Sequence, residues 1–251
     1  MNNPIFSGPP DFKRISEKNR GIDESDLIYS GEDLSGNSKK FPTKIFVINL
    51  EDRKDRWESF LIKNAILSEK FEVIRFNAVK GTPVQKAIFE SFRSCLSSTN
   101  DETFIIMEDD SYLVEGGLDH IIKTWSQIPG DWDVIFGNHY FFSKMQILNQ
   151  NFAKPIGRAS TANFGIYSNT LNGKIVNYDK IEDPSLKEWD HFLTGNPDIN
   201  NYVYWPMISR ESGGFSDHKG RYMDINFRTR EHRFRFNFLD NEKFYPAIWK
   251  T

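Results

Sequence analysis

Phe104-Ile105-Ile106-Met107-Glu108-Asp109-Asp110-Ser111 decides how this chain is read. Four consecutive apolar residues, with Asp101-Glu102 before them and three acids after, predict a buried strand that ends in a loop. A run without polar alternation suits a strand covered on both faces, as in a mostly parallel sheet. Ligands of open α/β sheets gather outside the carboxyl ends of such strands. Three adjacent carboxylates repel one another, so the position is costly unless a cation neutralises them. Oxygen-only ligands suit a hard divalent ion such as Mg²⁺ or Mn²⁺. An acidic loop capping the next helix is the other reading, and the triplet alone does not separate the two.

Working outward, Lys44-Ile45-Phe46-Val47-Ile48-Asn49-Leu50 predicts a strand, and Trp57, Phe60, Leu61 and Ala65 fall at helical spacing after the charged turn from Glu51 to Arg56. That turn puts Arg53 and Arg56 near a helix start, where cations and free backbone N–H groups can bind an anion; solvated surface charge is the alternative. Phe71 to Phe76 predicts a second strand, closed by Asn77-Ala78-Val79-Lys80-Gly81-Thr82-Pro83 and followed by a helix through Ile88, Phe92 and Cys95. Beyond the acids come a helix bearing Leu118, Ile121, Ile122 and Trp125, a break at Gly130-Asp131, and a short strand from Asp133 to Phe136 leading into Gly137-Asn138-His139. Further on, Thr161 to Ser168 predicts a strand, Leu171, Ile175 and Val176 a helix, Glu188 to Leu193 another helix, and Tyr202 to Pro206 a last strand. Strands alternating with helices imply one α/β domain, a mostly parallel twisted sheet flanked by helices.

Composition narrows the classes. Aromatics make up 15% of the 251 residues, enough for a large core and for stacking on ring-shaped ligands. The net charge of −3 averages over segments of opposite sign and decides nothing about partners. A lone cysteine, Cys95, excludes an internal disulfide and a cysteine metal cluster, and reads as a small buried helix residue. With no apolar run of about 18 residues and no signal-peptide core, a soluble, cytoplasmic protein is expected. Residues 1–41 are polar and turn-rich, and read as a partly ordered arm or a flexible leader. Residues 42–218 form the expected domain, its last part the glycine-hinged loop Gly213-Gly214-Phe215-Ser216-Asp217-His218. In the tail, 219–251, Lys219, Arg221, Arg228, Arg230, Arg233 and Arg235 interleave with Tyr222, Phe227 and Phe234.

Taken together, three stretches resemble the family 25 glycosyltransferases, the group of bacterial lipooligosaccharide and collagen galactosyltransferases. They are Val47-Ile48-Asn49-Leu50-Glu51-Asp52-Arg53-Lys54-Asp55-Arg56-Trp57, then Arg75-Phe76-Asn77-Ala78-Val79-Lys80-Gly81, then Ile106-Met107-Glu108-Asp109-Asp110. Weaker echoes are Thr161 to Ser168, Asp190 and Ser216-Asp217, so the resemblance runs from about Lys44 to His218. The chain departs from the family pattern in two places. Glu90-Ser91-Phe92-Arg93-Ser94-Cys95 stands where the family often has a Gly-Cys-x-x-Ser-His helix, and Glu188-Trp189-Asp190 stands for the usual Pro-x-Asp.

The resemblance implies a GT-A-like fold, a nucleotide-sugar donor (commonly a UDP-sugar) and inversion at the anomeric carbon, and the manganese or magnesium ion expected of the acidic triplet would absorb the charge building on the leaving diphosphate. In that reading Glu108 and Asp110 hold the metal, with His218 as a third ligand, and Asp109 faces the donor ribose or sugar. Arg53, Arg56 and Arg75 contact the nucleotide, with Asn49, Asn77 and Lys80 from the same motifs beside them. An inverting displacement needs one carboxylate to take the acceptor proton, and Asp190 is the expected base, with Glu188 its nearest competitor. The acceptor implied is a saccharide, often lipid-linked and reached at the cytoplasmic membrane face.

Two other classes compete. A dinucleotide oxidoreductase is disfavoured because no G-x-G-x-x-G follows the first strand. A non-catalytic nucleotide-sugar or glycan-binding module would not need an intact acidic triplet. Within the transferases, the basic aromatic tail at 219–235 suits an anionic membrane surface or a nucleic-acid backbone with base stacking. The latter would make a transferase acting on a hydroxymethylated DNA base the alternative enzyme; a tail packed on the domain is the third reading.

Overall fold

Strand β2 (Lys44–Asn49) shows why the predicted strands lack alternation. Phe46 and Ile48 belong to one buried cluster, while Ile45 and Val47 belong to another on the opposite face. The same split runs through β4 (Thr103–Glu108), with Phe104 and Ile106 on the first face and Ile105 and Met107 on the second. Each strand residue thus has a helix or loop to pack against, as a doubly covered sheet requires. The computed structural model describes residues 27–29, 36–139, 141–160, 163–175, 188–212, 214–216 and 221–223.

Nine strands form the main sheet. In spatial order they are β1 (Leu27–Tyr29), β7 (Phe141–Ile147), β8 (Phe152–Ser160), β10 (Asn201–Tyr204), β6 (Val134–Phe136), β9 (Phe164–Ser168), β4, β2 and β3 (Glu72–Asn77). Half of the pairings are antiparallel, because β9 lies between β4 and β6 and β8 between β10 and β7, each running against both neighbours. The sheet is therefore mixed, although the other seven strands share one direction. The strands expected at 161–168 and 202–206 occupy Phe164–Ser168 and Tyr202 to Tyr204, Asn201 being the first residue of the latter. Strands β7 and β8 were not expected from the sequence.

Helix α1 (Lys54–Lys63) covers the second face through Phe60, and the expected Ala65 opens a short 3₁₀ turn beyond it. Helix α3 (Gly117–Thr124) covers the same face through Leu118 and Ile121. On the first face lie α2 (Val84–Ser97), α4 (Leu171–Ile175) and α5 (Trp189–Gly195). Trp189 of α5 stacks on Phe92 of α2 with ring centroids 5.1 Å apart, and packs edge-on to Phe89 at 5.2 Å. Two small sheets complete the fold: β5 (Ser111–Leu113) with β11 (Ser209–Glu211), and β12 (Gly214–Ser216) with β13 (Arg221–Met223).

Part of the expected N-terminal arm belongs to this fold. β1 pairs in parallel with β7 at the sheet edge. Asn37 donates to the Trp125 carbonyl at 2.9 Å, and Lys39 lies over the Trp132 ring at 4.3 Å. No helix among the described residues is long and apolar enough to cross a membrane.

Candidate functional site

Parallel strands β3, β2 and β4 end side by side, and their last residues are Asn77, Asn49 and Glu108. Strand parity then sorts the side chains. Glu108 follows Phe104 and Ile106 toward the face of α2 and α5, whereas Asn49 follows Ile45 and Val47 toward α1. The turn after Glu108 is held on both sides. The Glu108 N–H donates to the Asn163 carbonyl at 2.9 Å, and the Ser212 N–H donates to the Asp110 carbonyl at 2.6 Å. Just beyond, Asn64 at the end of α1 donates to the Ser111 carbonyl at 3.0 Å and accepts from the Leu113 N–H at 3.1 Å.

A cleft of about 320 Å³ opens at these strand ends. Arg56, Lys80, Glu108, Asp109 and Asp110 supply its charged wall. Its apolar wall comes from the ends of β2 and β3 and from α2, including Ile48, Val79, Ile88 and Phe92. The loop between them is pinned by Ser91, whose hydroxyl accepts the Val79 N–H at 2.8 Å and donates to the Ala87 carbonyl at 2.8 Å.

Arg56 bonds both aspartates, at 2.6 Å to Asp109 and 2.7 Å to Asp110. Asn49 donates to the other oxygen of Asp109 at 2.6 Å, and the Arg75 guanidinium donates to Asn49 at 2.8 Å. Arg75 is further engaged by the Glu51 carbonyl at 3.1 Å and by the Trp57 ring, so it props the end of β2 without lining the cleft. Arg53 pairs with Asp55 at 2.9 Å, and Asn77 is exposed beside Asn49; neither lines the cleft. Lys80 does, and its ammonium pairs with Asp52 at 2.9 Å.

Carboxylates outnumber the two cations here. Burial pushes the Glu108 carboxyl well above the ordinary carboxylate range, and the charges of Asp110, Glu211, Asp109 and Asp190 push in the same direction. Burial also raises Asp109 to about 6, against the lowering effect of Arg56. One oxygen of Asp110 is buried with no hydrogen-bond partner among the described residues.

Asp190 is the second residue of α5, half-buried, and its carboxylate accepts the His191 N–H at 2.9 Å. It does not line the cleft, but Trp189 anchors it on α2 and it lies within electrostatic reach of Glu108. Glu188 is exposed outside the helix, with its carboxylate 3.4 Å from His191 Nδ1. Glu188, Asp190 and His191 bring one ligand atom each within 4.8 Å of one another. His218 lies outside the described residues, as do Arg228, Arg230, Arg233 and Arg235 of the tail.

Sequence reasoning missed Glu211, which β11 delivers to the acids by pairing opposite Ser111. Nothing in Ser209-Arg210-Glu211 signals that pairing. It also missed Ser91, whose position one turn after Ala87 on the buried face of α2 was the available signal.

No family model and no curated protein matches the chain. Among solved structures, A197 from STIV is 11% identical with a TM-score of 0.40, over 73% of this chain and 93% of that one. TarS 1-349 of S. aureus, solved in complex with UDP-GlcNAc, is 13% identical with a TM-score of 0.35, over 78% of this chain and 65% of that one. HddC from Yersinia pseudotuberculosis is 15% identical with a TM-score of 0.32, over 67% and 72%.

Proposed function

We propose that the cleft is the donor site of a metal-dependent, inverting glycosyltransferase of GT-A type. It moves a sugar from a nucleoside diphosphate, UDP by the family resemblance, to a saccharide hydroxyl. One observation carries the reading: Arg56, Lys80, Glu108, Asp109 and Asp110 converge on a single cleft at the carboxyl ends of β3, β2 and β4, where open α/β sheets bind ligands.

The residues fit a hard divalent cation. Glu108 and Asp110 offer oxygen donors, one Asp110 oxygen is buried with no hydrogen-bond partner among the described residues, and the charges of Asp110, Glu211, Asp109 and Asp190 all act on Glu108. When bound, such an ion supplies Lewis-acid stabilisation of charge building on the leaving diphosphate. The chain's own groups do the rest. Arg56 and Lys80 line the cleft beside an apolar wall that includes Ile48 and Phe92; in this reading the two cations take phosphate oxygens and the wall takes the planar base. Asp190 takes the proton of the acceptor hydroxyl as its oxygen bonds the anomeric carbon and the bond to phosphate breaks.

Thermal melts with a panel of nucleotide-sugars, each with and without Mn²⁺, test the reading. A UDP-sugar should stabilise the protein only in the presence of Mn²⁺, and Asp110→Asn should remove that shift while keeping the metal-free melting temperature. No Mn²⁺-dependent shift with any nucleotide-sugar would overturn it.

A further inference from the structure

The two aspartates bridged by Arg56 are held unequally. Asp109 is nearly buried and is fixed from its other side by Asn49, which Arg75 holds in turn. Asp110 bonds Arg56 through one oxygen, and the other is buried with no hydrogen-bond partner among the described residues. Arg56 itself lines the cleft. A guanidinium has five donors in a fixed fork, so it can exchange a carboxylate for a phosphate without leaving a donor idle. A divalent ion and a guanidinium on one carboxylate repel each other.

We propose that Arg56 is a latch that occupies Asp110 until cation and donor arrive together. It then lets go of Asp110, stays on the firmly held Asp109, and turns its freed N–H groups to the diphosphate. The proposal rests on the donor-site reading and adds its regulation: the acids are shielded in the resting protein, and each ligand makes room for the other. Coupling of that kind is reciprocal, so cation and diphosphate strengthen each other's binding by one factor.

The test measures Mn²⁺ binding and UDP binding to the full chain by calorimetry, for wild type, Arg56→Lys and Arg56→Gln. Lysine keeps the charge but not the rigid five-donor fork that spans the two carboxylates, which separates the bridge from net charge. With the bridge as the competitor, Mn²⁺ alone should bind about tenfold more tightly to both variants than to wild type. UDP in the presence of Mn²⁺ should bind both more weakly. Lysine behaving as wild type toward Mn²⁺ while glutamine binds it more tightly would reduce the effect to charge and overturn the latch. So would UDP affinity unchanged in Arg56→Gln. If Mn²⁺ binds none of the three, with or without UDP, the donor-site reading itself falls and takes the latch with it.

Discussion

Asp190 and Glu188 stand two residues apart, yet their surroundings divide the work between them. Asp190 is half-buried beside Trp189 and acts electrostatically on both Glu108 and Tyr167. Glu188 projects into solvent next to His191. Removing a positioned base costs about 10² to 10⁴ in rate. Asp190→Asn should therefore lower single-turnover transfer by that factor and leave UDP affinity unchanged, while Glu188→Gln stays near wild type. The opposite ranking would move the base to Glu188. At this scale the sequence displays the acids but not their company. Glu108-Asp109-Asp110 is visible as a triplet, and strand parity even foretells which face Glu108 takes. The Arg56 bridge needs the angle of α1 over the sheet, and Glu211 arrives by a three-residue pairing with no periodic signal of its own.

The contact between α2 and α5 is the element that holds Asp190, the proposed base, in place. Trp189 fills the space between Phe89, Phe92 and Phe192, and it is the residue immediately before Asp190. Truncating a buried aromatic of this size costs about 3–5 kcal/mol. Trp189→Ala should show that loss in urea unfolding, whereas Trp189→Phe should recover most of the stability. An alanine variant as stable as wild type would mean that α5 is held by something else. Elements with an apolar face at regular spacing, such as β2, β4 and α2, were legible because the core dictates their pattern. The β7–β8 hairpin was not, although Asn149-Gln150-Asn151 carries turn chemistry: Asn149 Oδ1 accepts the N–H groups of Asn151 at 2.8 Å and Phe152 at 3.0 Å.

Across the whole sheet, the proposed donor cleft and the N-terminal strand stand at opposite ends. The cleft opens over β3, β2 and β4, while β1 is the far edge, five strands beyond β4's neighbour β9 in the order β6, β10, β8, β7, β1. β9 joins the halves, since Gly165 stands opposite both Ile106 of β4 and Phe136 of β6. A chain shortened by residues 1–35 loses β1 and its three register pairs with β7 but keeps Asn37 and Lys39 on Trp125 and Trp132. Its unfolding midpoint should fall modestly, and the newly bare edge of β7 should make it more prone to associate. UDP binding in Mn²⁺ should be unaffected, because none of the described residues that line the cleft is removed. Calorimetry on the shortened chain decides the matter. Intact nucleotide binding makes the N-terminal segment an edge cover for the sheet. Loss of binding with the fold retained would make it part of the donor site, and would require the segment to act at the other end of the molecule from the strand it contributes.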